Sequence, residues 1–286
     1  MSVGLGIMLT VLSGLCWGGL DALRKQLAGH LDALPLTIWL IVGQWPLFML
    51  WVVMSGETQI SIEWLAPGIS VSAFAVLAAI AFIKAVRLSP LSLVIPMLSL
   101  TPVFAVCTSA SLLGERPDQS QLIGIMLVVS GAFTLGREGR PAGGRAWREP
   151  GIWIMIGVAL CWACTLTLDK LALKYADVPA HALAQSVVMG VSLLIILAAR
   201  RQLHLLGSIR SHRRIYIFAV LLGSLATALQ LIAVRVVLVG VVEGVKRSIG
   251  LAMAVLNGWI FFDEPPSPLK IAAIVWMGAG VMLLVI

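Results

Sequence analysis

The chain has 286 residues, 60% of them hydrophobic and 12% charged, with a mean hydropathy of +1.02. Soluble domains carry about 25% charged residues, so this composition cannot supply a water-facing exterior, and its apolar surface must meet lipid. The net charge of +7 does not indicate nucleic acid, because the basic residues sit in short connections without aromatic interleaving or a nucleic-acid motif.

Crossing a hydrocarbon core takes about 20 mostly apolar residues. In chain order, the runs that meet this predict ten spans: 3–20, 34–54, 68–86, 91–113, 119–135, 151–168, 180–199, 215–234, 238–262 and 268–286. The runs are continuously apolar rather than alternating, which excludes a barrel. The expected fold class is an all-α integral membrane protein of ten transmembrane helices. The first run lacks a basic leading segment and an A-x-A-like cleavage site, so it reads as a helix rather than a cleavable signal. Cys161-x-x-Cys164 lies inside span 6 and has no second ligand pair, so it reads as two small thiols rather than a metal or redox site.

The glycine-rich, charged stretch from Gly136 to Arg145 reads as a linker near the midpoint. It divides the chain into a first five-span repeat at 1–136, a linker at 137–150 and a second repeat at 151–286. Matching landmarks support duplication. Trp17 precedes Lys25 by eight residues within a Leu-Cys-Trp context, as Trp162 precedes Lys170 by eight. Ala85-Val-Arg87 recurs as Ala233-Val-Arg235, and Glu115 and Glu264 follow those arginines by 28 and 29 residues. Five spans per repeat is an odd number, so the second repeat enters the membrane from the opposite side. Two inverted five-helix repeats are a recurrent plan of secondary transporters, with a site near the midplane.

Leu15-Cys-Trp-Gly18, Ala85-Val-Arg-Leu-Ser-Pro-Leu-Ser-Leu93, Leu100-Thr-Pro-Val-Phe104, Leu112-Leu-Gly-Glu115 and Phe261-Phe-Asp-Glu264 resemble the drug/metabolite transporter superfamily, specifically its ten-helix EamA-type members. In Phe261-Phe-Asp-Glu264, Asp263 replaces the usual glycine. The resemblance implies a transporter, often an exporter, of a metabolite or drug-like compound in a bacterial inner (plasma) membrane. It also implies both termini inside the cell. Small multidrug relatives carry a membrane-embedded glutamate where this chain has Trp17, so their proton-coupled cation exchange does not carry over.

Ionisable groups inside a membrane are costly unless paired or hydrated. Glu243, Lys246 and Arg247 in span 9 share one helical face at spacings of three and four, with Ser248 and Asn257 as polar company. Either they line a hydrated cavity that attracts an anionic or zwitterionic substrate, or they form a salt bridge near the boundary with snorkelling side chains. Trp17, Trp162, Gln44, Gln185 and Gln230 are further candidates for substrate contact, since an amide in lipid wants a partner. Ser99 lies in span 4 at the position of Ser248 in span 9, where Pro96 and Pro102 are expected to bend the helix. Lys25, Lys170, Arg87 and Arg235 read as head-group anchors, and Glu115 and Glu264 as acids complementing the dipoles of spans 5 and 10.

Of the 20 lysines and arginines, Lys246 and Arg247 lie inside span 9, four (Arg116, Lys170, Lys174, Arg235) flank one side, and the other fourteen flank the opposite side. The positive-inside rule then places both termini outside the cytoplasm, against the resemblance. The expected function is secondary transport of a small anionic or zwitterionic molecule by alternating access. A flippase for a lipid-linked or polyprenyl-phosphate substrate is the alternative. A polytopic enzyme is disfavoured by scattered histidines and the lack of paired carboxylates. No G-x-x-x-x-G-K-[ST] motif supports direct ATP drive. No cofactor or metal is called for. The expected partners are a small-molecule substrate and the bilayer, with a coupling ion and the choice of monomer or homodimer left open.

Overall fold

The computed structural model describes residues 2–28, 32–89, 94–135, 149–206, 212–262 and 267–285. Ten α-helices lie among them: α1 Val3–Leu27, α2 Ala33–Ser55, α3 Leu65–Leu88, α4 Thr101–Leu113, α5 Gln119–Leu135, α6 Pro150–Ala172, α7 Val178–Ala199, α8 Arg213–Val234, α9 Val239–Phe262 and α10 Pro268–Val285. Seven are long and apolar enough to cross a membrane, counting α3 and α4 with the short 3-10 helices before them; α5 and α10 are shorter apolar helices. The greater part of the expected linker, 137–148, lies outside the described residues, as do Asp263 and Glu264.

Local chemistry sets the helix ends. Ser2 accepts the Leu5 N–H at the start of α1. Gly56 and Gly114 take left-handed conformations (φ 70° and 69°) just past α2 and α4, where a side chain would be strained. Span 4 is interrupted where Pro96 and Pro102 are expected to bend it. Residues 95–100 form a 3-10 helix that gives way to α4 at Thr101. Pro96 and Pro102 lack the N–H that α-helical bonding needs, and the Thr101 hydroxyl takes up the Leu98 carbonyl at 2.6 Å.

Helix packing obeys a twofold relation between repeats. α1 packs on α8 and α9, and the equivalent α6 packs on α3 and α4; α2 packs on α7, α4 on α9 and α5 on α10. The self-related pairs run antiparallel. A Cβ on Gly124 would meet the Gly280 carbonyl and one on Gly131 would meet Met277, so α5 and α10 cross in opposite senses at close range. Small residues permit this backbone approach, as is common between helices in lipid. A twofold that reverses helix direction lies in the membrane plane, so the repeats are inverted.

Loop contacts agree. The α2–α3 connection pairs with the α6–α7 connection through an antiparallel bridge, Ile60 to Ala176, and through the Ser61 N–H to the Tyr175 carbonyl at 2.9 Å. The α6–α7 connection is the repeat-mate of the α1–α2 connection, which lies at the other end of α2. The N-terminal end of α1 meets Val236 and Val237 after α8, on the same face as Ile60, here termed the terminal face.

Candidate functional site

The three charges of α9 join a group of side chains from α1, α4, α6 and α8. Lys246 Nζ donates to Glu243 Oε1 at 2.8 Å and to Gln230 Oε1 of α8 at 2.7 Å. Trp17 Nε1 of α1 donates to the same Gln230 oxygen at 3.2 Å. Arg247 Nη2 donates to Thr101 Oγ1 at 3.2 Å, where the 3-10 helix meets α4. Its guanidinium carbon stands 5.9 Å from the centroid of Trp162, which stacks on Phe82 of α3 at 6.0 Å and 25°. α9 begins at Val239, so at about 1.5 Å per residue Glu243 lies roughly 6 Å and Arg247 roughly 12 Å along it. Both cations reach partners inside the bundle, Lys246 at Glu243 and Gln230 and Arg247 at Thr101.

Two polar atoms at this place are buried with no hydrogen-bond partner: Arg247 Nε and Ser248 Oγ. One carboxylate faces two cations, so the α9 group carries a net +1. Asp21 and Arg24 form an exposed pair at 3.1 Å, one and two turns beyond Trp17 towards the face opposite the termini, and Arg24 lies over the Trp17 ring at 5.5 Å.

The structure thus brings together Trp17, Gln230, Glu243, Lys246, Arg247, Ser248 and Trp162. Ser99 is buried in the 3-10 helix that delivers Thr101. The other candidates lie elsewhere. Asn257 Nδ2 donates to the Gly18 carbonyl at 3.1 Å and ties α9 to α1. Gln44 packs against Gly223 of α8. Gln185 engages α3 through its backbone carbonyl, which accepts from the Ser72 hydroxyl at 3.4 Å. Phe82 and Asp21 were not legible as site residues, although the repeat landmarks align Phe82 with Gln230.

Lys170 and Glu115 differ from expectation. Lys170 is no head-group anchor: its Nζ pairs with Glu115 Oε1 at 2.6 Å and donates to the Val237 carbonyl at 2.7 Å. Glu115 Oε2 accepts the Val239 N–H at 2.9 Å, so this acid serves the N-terminus of α9 rather than α5. α5 is started by Asp118, whose carboxylate accepts the Gln121 N–H at 2.8 Å while the Gln121 amide oxygen accepts the Asp118 N–H at 3.1 Å, a reciprocal capping box. Glu115 and Lys170, with the Ile60–Ala176 bridge, link elements of both repeats on the terminal face.

The profile of the EamA-like transporter family matches the chain twice, over residues 4–137 and 149–286. A solved crystal structure of a protein 14% identical to the chain shares the fold with a TM-score of 0.79, over 97% of this chain and 95% of that one. No curated protein matches in sequence.

Proposed function

The chain belongs to the EamA-like transporter family, and on that premise we propose that it exports a small anionic or zwitterionic metabolite by alternating access. One observation carries the reading: Arg247 Nε and Ser248 Oγ are buried and unpartnered beside Lys246. Buried donors are satisfied in nearly all folded proteins, and a carboxylate or phosphate oxygen offers the acceptor this pair lacks. Arg247 is suited to planar recognition of such groups. The Trp162–Phe82 stack supplies an apolar wall beside it, and Glu243 offers a counter-charge for an amine.

The links across the terminal face and the exposed Asp21–Arg24 pair suit a conformer loaded from the opposite face. By the count of spans, that face is the one the fourteen basic residues flank in sequence, and the positive-inside rule makes it cytoplasmic. Loading from the cytoplasm is the step an exporter needs. Both repeats contribute to the cluster within one chain, so a monomer suffices. A lipid-linked substrate is the second reading, favoured by an apolar crevice of about 400 Å³ between α2 and α7, lined by Val52, Ile60, Trp64, Leu183 and Val187.

The test is thermal stability of detergent-purified protein titrated with amino acids, dicarboxylates and phosphomonoesters, alongside their neutral esters and a polyprenyl phosphate. At least one free acid is expected to raise Tm where its ester does not, and Lys246→Ala and Arg247→Ala to abolish the rise. A rise unchanged in both variants removes the cluster from the binding site. Stabilisation by the polyprenyl phosphate alone favours the second reading.

A further inference from the structure

A second buried titratable cluster lies outside the α9 network, where α3, α6 and α7 meet below the terminal face. Asp169 is 2% exposed, His181 0% and Trp64 4%. His181 Nε2 lies 3.1 Å from Asp169 Oδ1, and Trp64 Nε1 lies 2.9 Å from His181 Nδ1. An indole N–H can only donate, so Nδ1 is the acceptor, and the neutral imidazole carries its proton on Nε2 and gives it to Asp169. The tautomer is therefore fixed by the geometry, and the free lone pair of the ring points at Trp64.

We propose that His181 Nδ1 is a proton-binding site, and that its occupation releases Trp64 and loosens the terminal face. With the imidazole neutral, the carboxylate of Asp169 holds an uncompensated negative charge in a buried place, which is costly. One added proton makes an imidazolium–carboxylate pair of zero net charge. Histidine is the side chain whose ordinary titration falls in the physiological range. The proton takes the Nδ1 lone pair, so the ring then presents N–H to the N–H of Trp64 and that bond is lost.

Trp64 is placed to pass this on. It ends the three-residue 3-10 helix that follows the bridged segment, its backbone N–H bonds to the Ser61 carbonyl at 3.1 Å, and Ser61 N–H bonds to Tyr175 across the bridge. Its ring also covers Gly68 at the start of α3 and forms part of the crevice beside α7. The other ionisable groups at the terminal-face ends of the elements around His181 include Glu57 and Glu63 before α3, Glu115 and Arg116 after α4, Lys170, Lys174 and Tyr175 at the end of α6, and Asp177 before α7. Glu115 and Lys170 neutralise each other, and Asp177 accepts the Gln59 N–H at 3.0 Å. The site is separate from the Lys246–Arg247 group, and its test needs no substrate, so it stands or falls independently of the transport reading.

Protein labelled with 15N-histidine in lipid nanodiscs reports only four imidazoles, His30, His181, His204 and His212, and His181 is identified as the signal missing from His181→Gln. Expected at the alkaline end of a pH series is an Nε2-protonated ring with an accepting Nδ1, and towards the acid end a second proton, on Nδ1. Over the same range, amide exchange of residues 59–61 and 175–177 is expected to rise several-fold in the wild type. It should stay flat in His181→Gln, whose amide can still bridge Trp64 and Asp169, and stay high at all pH values in Trp64→Phe. An Nδ1 that remains unprotonated throughout, including uptake at Asp169 instead, overturns the proposal. So does an acid response of the bridge that is the same in His181→Gln as in wild type.

Discussion

Gln230 and Phe82 hold equivalent positions in the two repeats, and each packs against the tryptophan of the opposite repeat. Gln230 accepts from Trp17, whereas Phe82 stacks on Trp162. The same twofold relation that builds the scaffold therefore yields one polar and one aromatic wall. The charges share this asymmetry: by the spacing of Glu115 and Glu264, the positions matching Glu243, Lys246 and Arg247 are Val94, Met97 and Leu98. The duplicated frame supplies symmetric packing, and its broken symmetry supplies the chemistry.

Gln230→Leu removes the shared acceptor of Lys246 and Trp17. A hydrogen bond to a charged group contributes about 1.5–3 kcal/mol, so a fall in unfolding free energy of that order is expected. Phe82→Leu leaves the polar wall intact and should weaken an aromatic ligand more than an aliphatic one. Calorimetric unfolding and ligand titration of the two variants check both outcomes.

Glu243 and Lys246 form a pair whose side chains are 6% and 18% exposed. Removing one partner of a buried pair costs about 3–5 kcal/mol, because the other charge is left uncompensated. Glu243→Gln and Lys246→Met are each expected to destabilise by that order. The double variant should be less destabilised than the sum, with a coupling of about 1–3 kcal/mol in a double-mutant cycle.

Ile60 and Ala176 face each other across an antiparallel bridge, where opposed Cβ atoms lie about 4.5–5.5 Å apart. In a background lacking Cys16, Cys107, Cys161 and Cys164, the pair Ile60→Cys and Ala176→Cys should form a disulfide under mild oxidation, seen as a gel shift after cleavage in the linker. The cross-link joins connections that could share a face only if the repeats are inverted. It should halt transport until a reductant is added.

Glycine substitutions should separate close packing from helix propensity. A Cβ on Gly124 would lie 2.7 Å from the Gly280 carbonyl oxygen, a backbone atom that cannot turn aside, while nothing lies within 4 Å of one on Gly157. Gly124→Ala is expected to lower stability by about 1–3 kcal/mol. Gly157→Ala, in the open interior of α6, should be neutral or stabilising by up to about 1 kcal/mol. Thermal melts of the two variants under one detergent condition decide the matter.

The Gln121 N–H, aided by the Ser120 hydroxyl, holds the Asp118 carboxyl below its ordinary range. A lowered folded value gives stability that is present above the unfolded value, about 3.9, and lost as pH falls through the folded one. Asp118→Ala should therefore melt below wild type by a constant margin above about pH 5, with the margin shrinking as the pH approaches about 3. Asp118→Asn keeps an acceptor for Gln121 and should lose less.

Ten apolar runs, the duplicated landmarks and the odd number of spans per repeat were enough to establish a ten-helix bundle with inverted halves. Each of those signals is local or periodic, and the bilayer forces apolar runs of that length into helices because no other backbone form can satisfy its own hydrogen bonds there. Glu243, Lys246 and Arg247 were also legible, since spacing along one helix fixes a shared face. What each group touches was not. Glu115 precedes α5 in the chain yet serves α9; Lys170 ends α6 yet bonds beyond α8; and Asp169, His181 and Trp64 lie up to 117 residues apart before the fold joins them. Contacts between helices depend on how the bundle packs in three dimensions, and that packing is decided by shape and by small residues spread over both repeats, which no single segment of the chain records.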